Sequence, residues 1–276
     1  MDTLKHKQPK FFVFENVKGL INHDKGKTLE IIAQSFSEVG YCIDIELLNS
    51  KYFGVPQNRE RIYIVGIRED LIEQQEWDIP KERKDVMAKG KRSLKESGVK
   101  MFNFDFPKQE KVIKMIRDIL ESNVDEKYYL SEDKTKKLVE KLESYKNGTI
   151  LSNDYKEPKK IDLKMVGRID INGNDSLRRV YSTDGVAPTL TTMEGGHREP
   201  KIVEYKYRIR KSTPLECWRL QAFSDEDFYK AKKALINTYY KGKDRADSQL
   251  YKQAGNSITV TVLEEIFKNL LYAYLR

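Results

Sequence analysis

Apolar positions along this chain follow two rhythms, and the first 70 residues carry both. Phe11 to Phe14 is a continuous bulky run, the pattern of a strand buried on both faces, with no element expected ahead of it. Thr28 to Val39 places Leu29, Ile32, Phe36 and Val39 at helical spacing and stops at Gly40, a common C-cap residue. Ile43, Ile45 and Leu47 alternate with acidic neighbours and predict a half-buried strand, and Ile62 to Ile67 predicts another. From about Glu76 the pattern changes to Lys, Glu and Asp with scattered apolar residues, and helices are expected over Glu110 to Glu121 and Ser131 to Glu143. Residues 147–199 are rich in Gly, Asn, Asp, Thr and Ser, which predicts loops and turns around short strands such as Arg179 to Tyr181. Thr213, Pro214 and Glu216 spell a helix start: an N-cap hydroxyl, proline at the first helical position and a glutamate that completes a capping box. After Gly255-Asn256-Ser257 a last helix runs to Leu275, with Val260, Leu263, Phe267, Leu270 and Tyr274 on one apolar face.

Composition narrows the class. The 276 residues include 51 Lys and Arg against 43 Asp and Glu, a formal net charge of +8, which favours polyanionic partners such as nucleic acid. The two cysteines, Cys42 and Cys217, are too few and too far apart for a disulfide framework or a Cys-rich zinc cluster, so no metal site is expected and a reducing cytoplasm fits. No apolar run approaches the roughly 20 residues of a membrane span, and the start, MDTLKHKQPK, has no signal-peptide core.

Four short blocks carry the chemistry: Phe12-Val-Phe-Glu-Asn-Val17, Val55-Pro-Gln-Asn-Arg-Glu-Arg61, Thr213-Pro-Leu-Glu-Cys-Trp-Arg-Leu-Gln221, and Gln253-Ala-Gly-Asn-Ser257. In this order and spacing they resemble the C-terminal conserved motifs of the DNA cytosine-5 methyltransferases: the ENV, QxRxR, RKxxPxECxR and GNS blocks. Arg179 to Ile202 is similar to the target-recognition region of that family.

The chemistry of the reaction explains the residue types. Cytosine is a poor electrophile, so methylation at C5 needs a nucleophile at C6 and an acid at N3. The resemblance assigns the acid to Glu15, at the end of a strand where burial can raise a carboxyl pKa. It gives Arg59 and Arg61 to the flipped cytosine and the groups around it, because alternate residues beside a strand project together and a guanidinium can hold a base edge or a phosphate. Gln57, Thr189, Leu190, Thr191, Thr192, Gly195, Gly196, His197 and Arg198 are candidates for DNA contacts, a loop of hydroxyls, glycines and a cation that suits base edges. Arg210, Glu216 and Arg219 are expected to be structural, organising the junction between catalytic core and recognition domain. Asn256 and Ser257, as the start of the last helix, would border the S-adenosylmethionine site with free N–H groups. The basic stretch Lys81 to Lys100 can track phosphates, although a solvated face is the commoner reason for such a run.

Three parts of the family pattern do not occur in these residues: the Gly-rich cofactor turn, an acidic ribose ligand, and the Pro-Cys dipeptide that carries the nucleophile. Neither cysteine follows a proline, and both are expected as small buried thiols. The resemblance therefore implies an α/β chain holding the C-terminal part of a Rossmann-like methyltransferase sheet and a smaller, mixed, loop-rich target-recognition domain. The expected boundaries are 1–75 for the catalytic part, 76–209 for recognition, and 210–276 for a junction helix and a return helix. The expected function is DNA cytosine-5 methylation of the restriction-modification type on double-stranded DNA. An N-terminal methyltransferase subunit would supply the nucleophile and most of the S-adenosylmethionine site, leaving this chain inactive alone; a truncated or frameshifted gene gives the same pattern. The alternative is a non-catalytic DNA-binding remnant.

Overall fold

The computed structural model describes residues 1–146, 161–193, 198–204 and 207–274. They form two compact units.

Unit 1 comprises residues 1–49, 60–108 and 265–276. A short helix, α1 (Asp2–Lys7), precedes the first strand, where none was expected. Strand β1 (Phe11–Val17), helix α2 (Lys27–Glu38), strand β2 (Tyr41–Asn49) and strand β3 (Glu60–Arg68) follow, and the three strands form an antiparallel sheet in the order β1-β3-β2. Central β3 buries Ile62, Ile64, Val65 and Ile67 completely. Edge strand β1 is only half-buried, against the expectation of burial on both faces, and it pairs on one side alone. Gly66 faces Phe12 in register, and a Cβ there would lie 2.0 Å from the Phe12 ring. The missing side chain lets that ring pack against Phe36, with centroids 4.5 Å apart. Helix α2 ends as its sequence predicts, with Gly40 at φ +87°.

Strand β2 is buried nearly throughout, not half-buried. Its alternating carboxylates are paired with residues beyond position 76. Asp44 meets Lys91 at 2.6 Å and accepts the Phe104 N–H, and Glu46 holds Arg83. The Trp77 indole donates to the Ile43 carbonyl, and the Ile43 and Phe102 amides bond along Lys100–Phe102. Helix α3 (Val86–Lys95) adds Met87 and Leu94 to the same core. The boundary therefore falls at Lys108 and not at residue 75. The stretch offered as a phosphate track turns one lysine, Lys91, into the protein.

Unit 2 comprises residues 50–59 and 109–264. Helix α4 (Glu132–Lys146), strand β4 (Met165–Arg168), helix α5 (Asp175–Arg178), and strands β5 (Arg179–Ser182), β6 (Lys201–Val203) and β7 (Ile209–Lys211) lead to the helices α6 (Pro214–Arg219), α7 (Asp225–Ala234), α8 (Asp247–Asn256) and α9 (Val260–Tyr274). The strands form a mixed sheet ordered β4-β5-β6-β7. Leu215, Cys217, Trp218, Leu250, Tyr251 and Ala254 pack α6 on α8.

Residues 50–59 join this unit because Pro56 and Asn58 exchange backbone hydrogen bonds with Ala187. The helix expected over Glu110 to Glu121 is reduced to a 3-10 turn at Ile116–Ile119. The Ile116 and Arg117 amides are committed to the carbonyls of Gly185 and Thr183, so they cannot build an α-helix. On α9 the buried residues are Val262, Ile266 and Leu270, while Phe267 is 44% exposed. That helix is apolar on more than one side, and spacing alone admits two faces. Its first turn belongs to unit 2, and from Glu265 onward it belongs to unit 1.

Candidate functional site

Glu15 sits near the end of β1, opposite Tyr63 of β3. Arg61, the second residue of β3, turns its Nε to the Glu15 carboxylate at 2.9 Å, with both side chains mostly buried. One Arg61 Nη donates to the Glu60 carbonyl, and Lys18 pairs with Glu60 at 2.9 Å. Asn16 accepts the Val17 N–H through its side chain. The sheet thus presents one carboxylate and one guanidinium as a fixed pair. Burial was expected to set the charge of Glu15, and the structure adds a cation directly beside it.

Arg59 does different work. It lies before β3 begins, so strand alternation does not place it beside Arg61. It is 3% exposed and donates to three carbonyls of unit 2: Leu190, Gly255 and Ser257. Gln57 is fully buried, gives its amide to the Leu220 carbonyl and accepts the Leu190 N–H. Both were expected at the base or the DNA, and both are instead internal clamps. Leu190, at 2% exposure, is likewise a core residue and not a DNA contact.

The clamps draw two blocks together. Gly255 lies so close to the Thr191 carbonyl that a Cβ would sit 1.9 Å from its oxygen, which is the physical reason for glycine at this position. Thr189 donates its hydroxyl to the Asn58 carbonyl. Thr191 and Arg198 stay exposed and Thr192 half-exposed. Gly195, Gly196 and His197 lie outside the described residues.

Asn256 and Ser257 were expected to open the last helix. They end α8, with Ser257 as its C-cap, so carbonyls and not N–H groups point outward. Two of those carbonyls are taken by Arg59, and the Ser257 hydroxyl bonds back to the Gln253 carbonyl. The Gly255 and Ser257 carbonyls and the Ser257 hydroxyl are thus engaged within the protein, while the Asn256 side chain stays exposed at the end of α8. Among the described residues no group of three or more His, Cys, Asp or Glu could hold a metal ion.

The capping-box residues were expected to organise the junction between catalytic core and recognition domain, and the contacts they make are internal to unit 2. Arg210 and Glu216 are both fully buried and paired through two hydrogen bonds of 2.8 and 2.7 Å. Glu216 also accepts the Thr213 and Glu121 amides. Arg219 grips Asp225 with two nitrogens and donates to the Ile119 carbonyl. All of these contacts lie within unit 2, where they tie β7, α6 and the 119–121 segment together.

Neither thiol is placed for nucleophilic work. Cys42 on β2 and Cys217 on α6 are buried, and burial pushes both thiols above their ordinary value, Cys217 well above it. The thiolate is the attacking form, so both remain inert packing groups.

A sequence profile for C-5 cytosine-specific DNA methylases matches residues 1–272. The chain belongs to that family. Its relatives include the orphan methyltransferase M.Rho11sI of Bacillus phage rho11s, 44% identical over 99% of this chain and 79% of its own length. The orphan methyltransferase M.SPBetaI of Bacillus phage SPbeta is 48% identical over 97% of this chain and 67% of its own length. Among solved structures, the S. pombe Dnmt2 methyltransferase superposes with a TM-score of 0.53 at 17% identity, covering 96% of this chain and 65% of that one. The α/β methyltransferase fold is thereby established. No helix among the described residues is long and apolar enough to cross a membrane.

The clamps Gln57 and Arg59 were missed as such because their partners lie more than 130 residues away. One signal was present: Gln57 follows Val55-Pro56, an apolar lead-in more typical of an entry to the core than of an exposed loop.

Proposed function

We propose that this chain is the base-pocket and DNA-recognition part of a S-adenosylmethionine-dependent DNA cytosine-5 methyltransferase of the restriction-modification type, acting on double-stranded DNA in the cytoplasm. The observation that carries the reading is the Glu15–Arg61 pair, 2.9 Å apart at the end of a sheet in a chain of this family. In the proposed reaction Glu15 hydrogen-bonds or protonates cytosine N3, which makes C6 open to attack, and Arg61 holds Glu15 in place and faces the base. S-adenosylmethionine, when bound, supplies the methyl group. Thr191, Thr192 and Arg198 remain the candidates for DNA contact, alongside Thr189 and the 195–197 segment.

The nucleophile and the Gly-rich cofactor turn come, in this reading, from polypeptide outside these 276 residues, a second subunit being one form of it. Two observations support this. Both cysteines are buried and inert, and β1 is a half-buried edge beside an apolar groove of about 420 Å³ lined by Met1, Leu4, Phe12, Phe14, Ile32 and Phe36. An exposed edge of this kind is a ready template for another strand.

The test uses the chain mixed with a polypeptide bearing the Pro-Cys block. Glu15→Gln should lower methyl transfer by at least about 100-fold, the scale of a lost general acid, with duplex DNA affinity within about twofold. Transfer within about threefold of wild type would refute the assigned role.

A further inference from the structure

The surface between α7 and α8 carries charge that the site described above does not use. Residues 229–245 (YKAKKALINTYYKGKDR) contain six Lys or Arg and a single acidic residue, Asp244. Two of the cations are matched: Lys230 pairs with Glu226 and Lys232 with Asp244. Lys233, Lys241, Lys243 and Arg245 are exposed and enter none of the ion pairs that the described residues form. Helix α4 makes the contrast. It is also rich in lysine, but Glu132, Asp133, Glu140 and Glu143 share the helix with Lys134, Lys136, Lys137 and Lys141, which is how a merely solvated helix is composed.

The backbone concentrates the unmatched charge. After α7 the chain makes a π-turn, Leu235–Tyr239, a rare form that is frequent at functional sites. It is closed by Tyr240 and Gly242 amides on the Leu235 and Ile236 carbonyls. Lys241 and Gly242 both take the left-handed conformation, at φ +49° and +85°, and the Lys243 and Arg245 amides fold back on Tyr240 and Lys243. Three cations thus sit on one tight turn. Tyr229 and Tyr239 are 55% and 67% exposed beside them, with Tyr229 one helical turn before Lys233. Exposed tyrosine hydroxyls and unmatched cations are the groups that bond phosphate oxygens without reading sequence.

We propose that the α7–α8 turn is a phosphate-backbone clamp for duplex DNA, with Lys233, Lys241, Lys243 and Arg245 as its cations. It rests on the DNA-binding reading above and adds to it a surface that positions the duplex without selecting its sequence.

The test compares two variants of the full chain with equal loss of charge. One neutralises the turn (Lys233→Gln, Lys241→Gln, Lys243→Gln, Arg245→Gln) and the other neutralises α4 (Lys134→Gln, Lys136→Gln, Lys137→Gln, Lys141→Gln). Duplex DNA affinity is measured by fluorescence anisotropy from low to moderate salt, with circular dichroism and thermal melting to establish that both variants fold. Since each phosphate contact contributes about 0.9 to the slope of log K against log salt, the turn variant should flatten that slope by about 3 to 4, and the α4 variant by less than about 1. Equal flattening in both would show a net-charge effect and overturn the clamp, as would no change in either. Loss of affinity for single-stranded or duplex RNA with none for DNA would also overturn it. If the wild-type chain binds no duplex at all, the DNA-recognition reading falls with the clamp, whereas an unchanged slope in a chain that does bind sinks the clamp alone.

Discussion

Arg59 and Arg61 are two residues apart, yet one is an internal clamp and the other faces a carboxylate. Arg61 is on β3, and its register with β1 brings it to Glu15. Arg59 precedes the strand and spends its donors on backbone carbonyls. The motif made both arginines visible in the sequence, but their division of labour depends on where β3 begins and on partners at positions 190 and 255–257. Lys201 shows a second residue-scale effect that sequence cannot reveal. It is 2% exposed on β6, and burial pulls its ammonium down from the ordinary 10.5 to about 8, partly offset by Glu199. Between these values the unfolded chain holds a proton that the native chain has lost, so this residue's contribution to stability should rise as pH increases from about 8 towards 10. Below pH 8 both states are charged and the native state bears the cost of burying the charge. Urea unfolding at pH 7, 8, 9 and 10 should therefore show Lys201→Met at its largest advantage over wild type at pH 7. That advantage should shrink by about 1 to 3 kcal/mol by pH 10, at about 1.4 kcal/mol for each unit of pKa difference.

Elements defined by local chemistry were legible, and elements defined by distant partners were not. The capping box of α6 and the glycine stop of α2 need only neighbours three or four residues away, and both form as their sequences predict. The stretch 76–108 reads as a polar, lysine-rich region, but Trp77, Met87 and Leu94 belong to the core of unit 1. The decisive pair is Asp44 with Lys91, a buried ion pair 47 positions apart that no local pattern encodes. Burial raises the Asp44 carboxyl above its ordinary value, against the opposing pull of Lys91. Lys91→Met should cost about 3 to 5 kcal/mol in urea unfolding at pH 7, the cost of leaving one buried charge without its partner. A carboxyl with a raised native pKa contributes stability at low pH that is lost as pH rises, so the defect should narrow on acidification. A cost under about 1 kcal/mol at pH 7 would mean that the pair does not anchor α3 to β2.

At the scale of the molecule, the family was legible in the sequence, and the net charge of +8 raised the expectation of a polyanionic partner. The places where the blocks meet were not. The QxRxR block divides between two units, with Arg59 in one and Arg61 in the other. The GNS block ends a helix instead of starting one, and its glycine is there for close approach to Thr191. What the fold adds to the reading is a three-stranded sheet with one open edge and two thiols that burial has silenced. The account therefore stands on the source of the nucleophile. The most direct measurement is transfer of labelled methyl groups from S-adenosylmethionine to duplex DNA by the 276-residue chain, alone and mixed with a polypeptide carrying the Gly-rich turn and the Pro-Cys block. The account predicts no transfer above background from the chain alone and restored transfer from the mixture. Full transfer by the chain alone, or none from a mixture whose components bind each other, would contradict it.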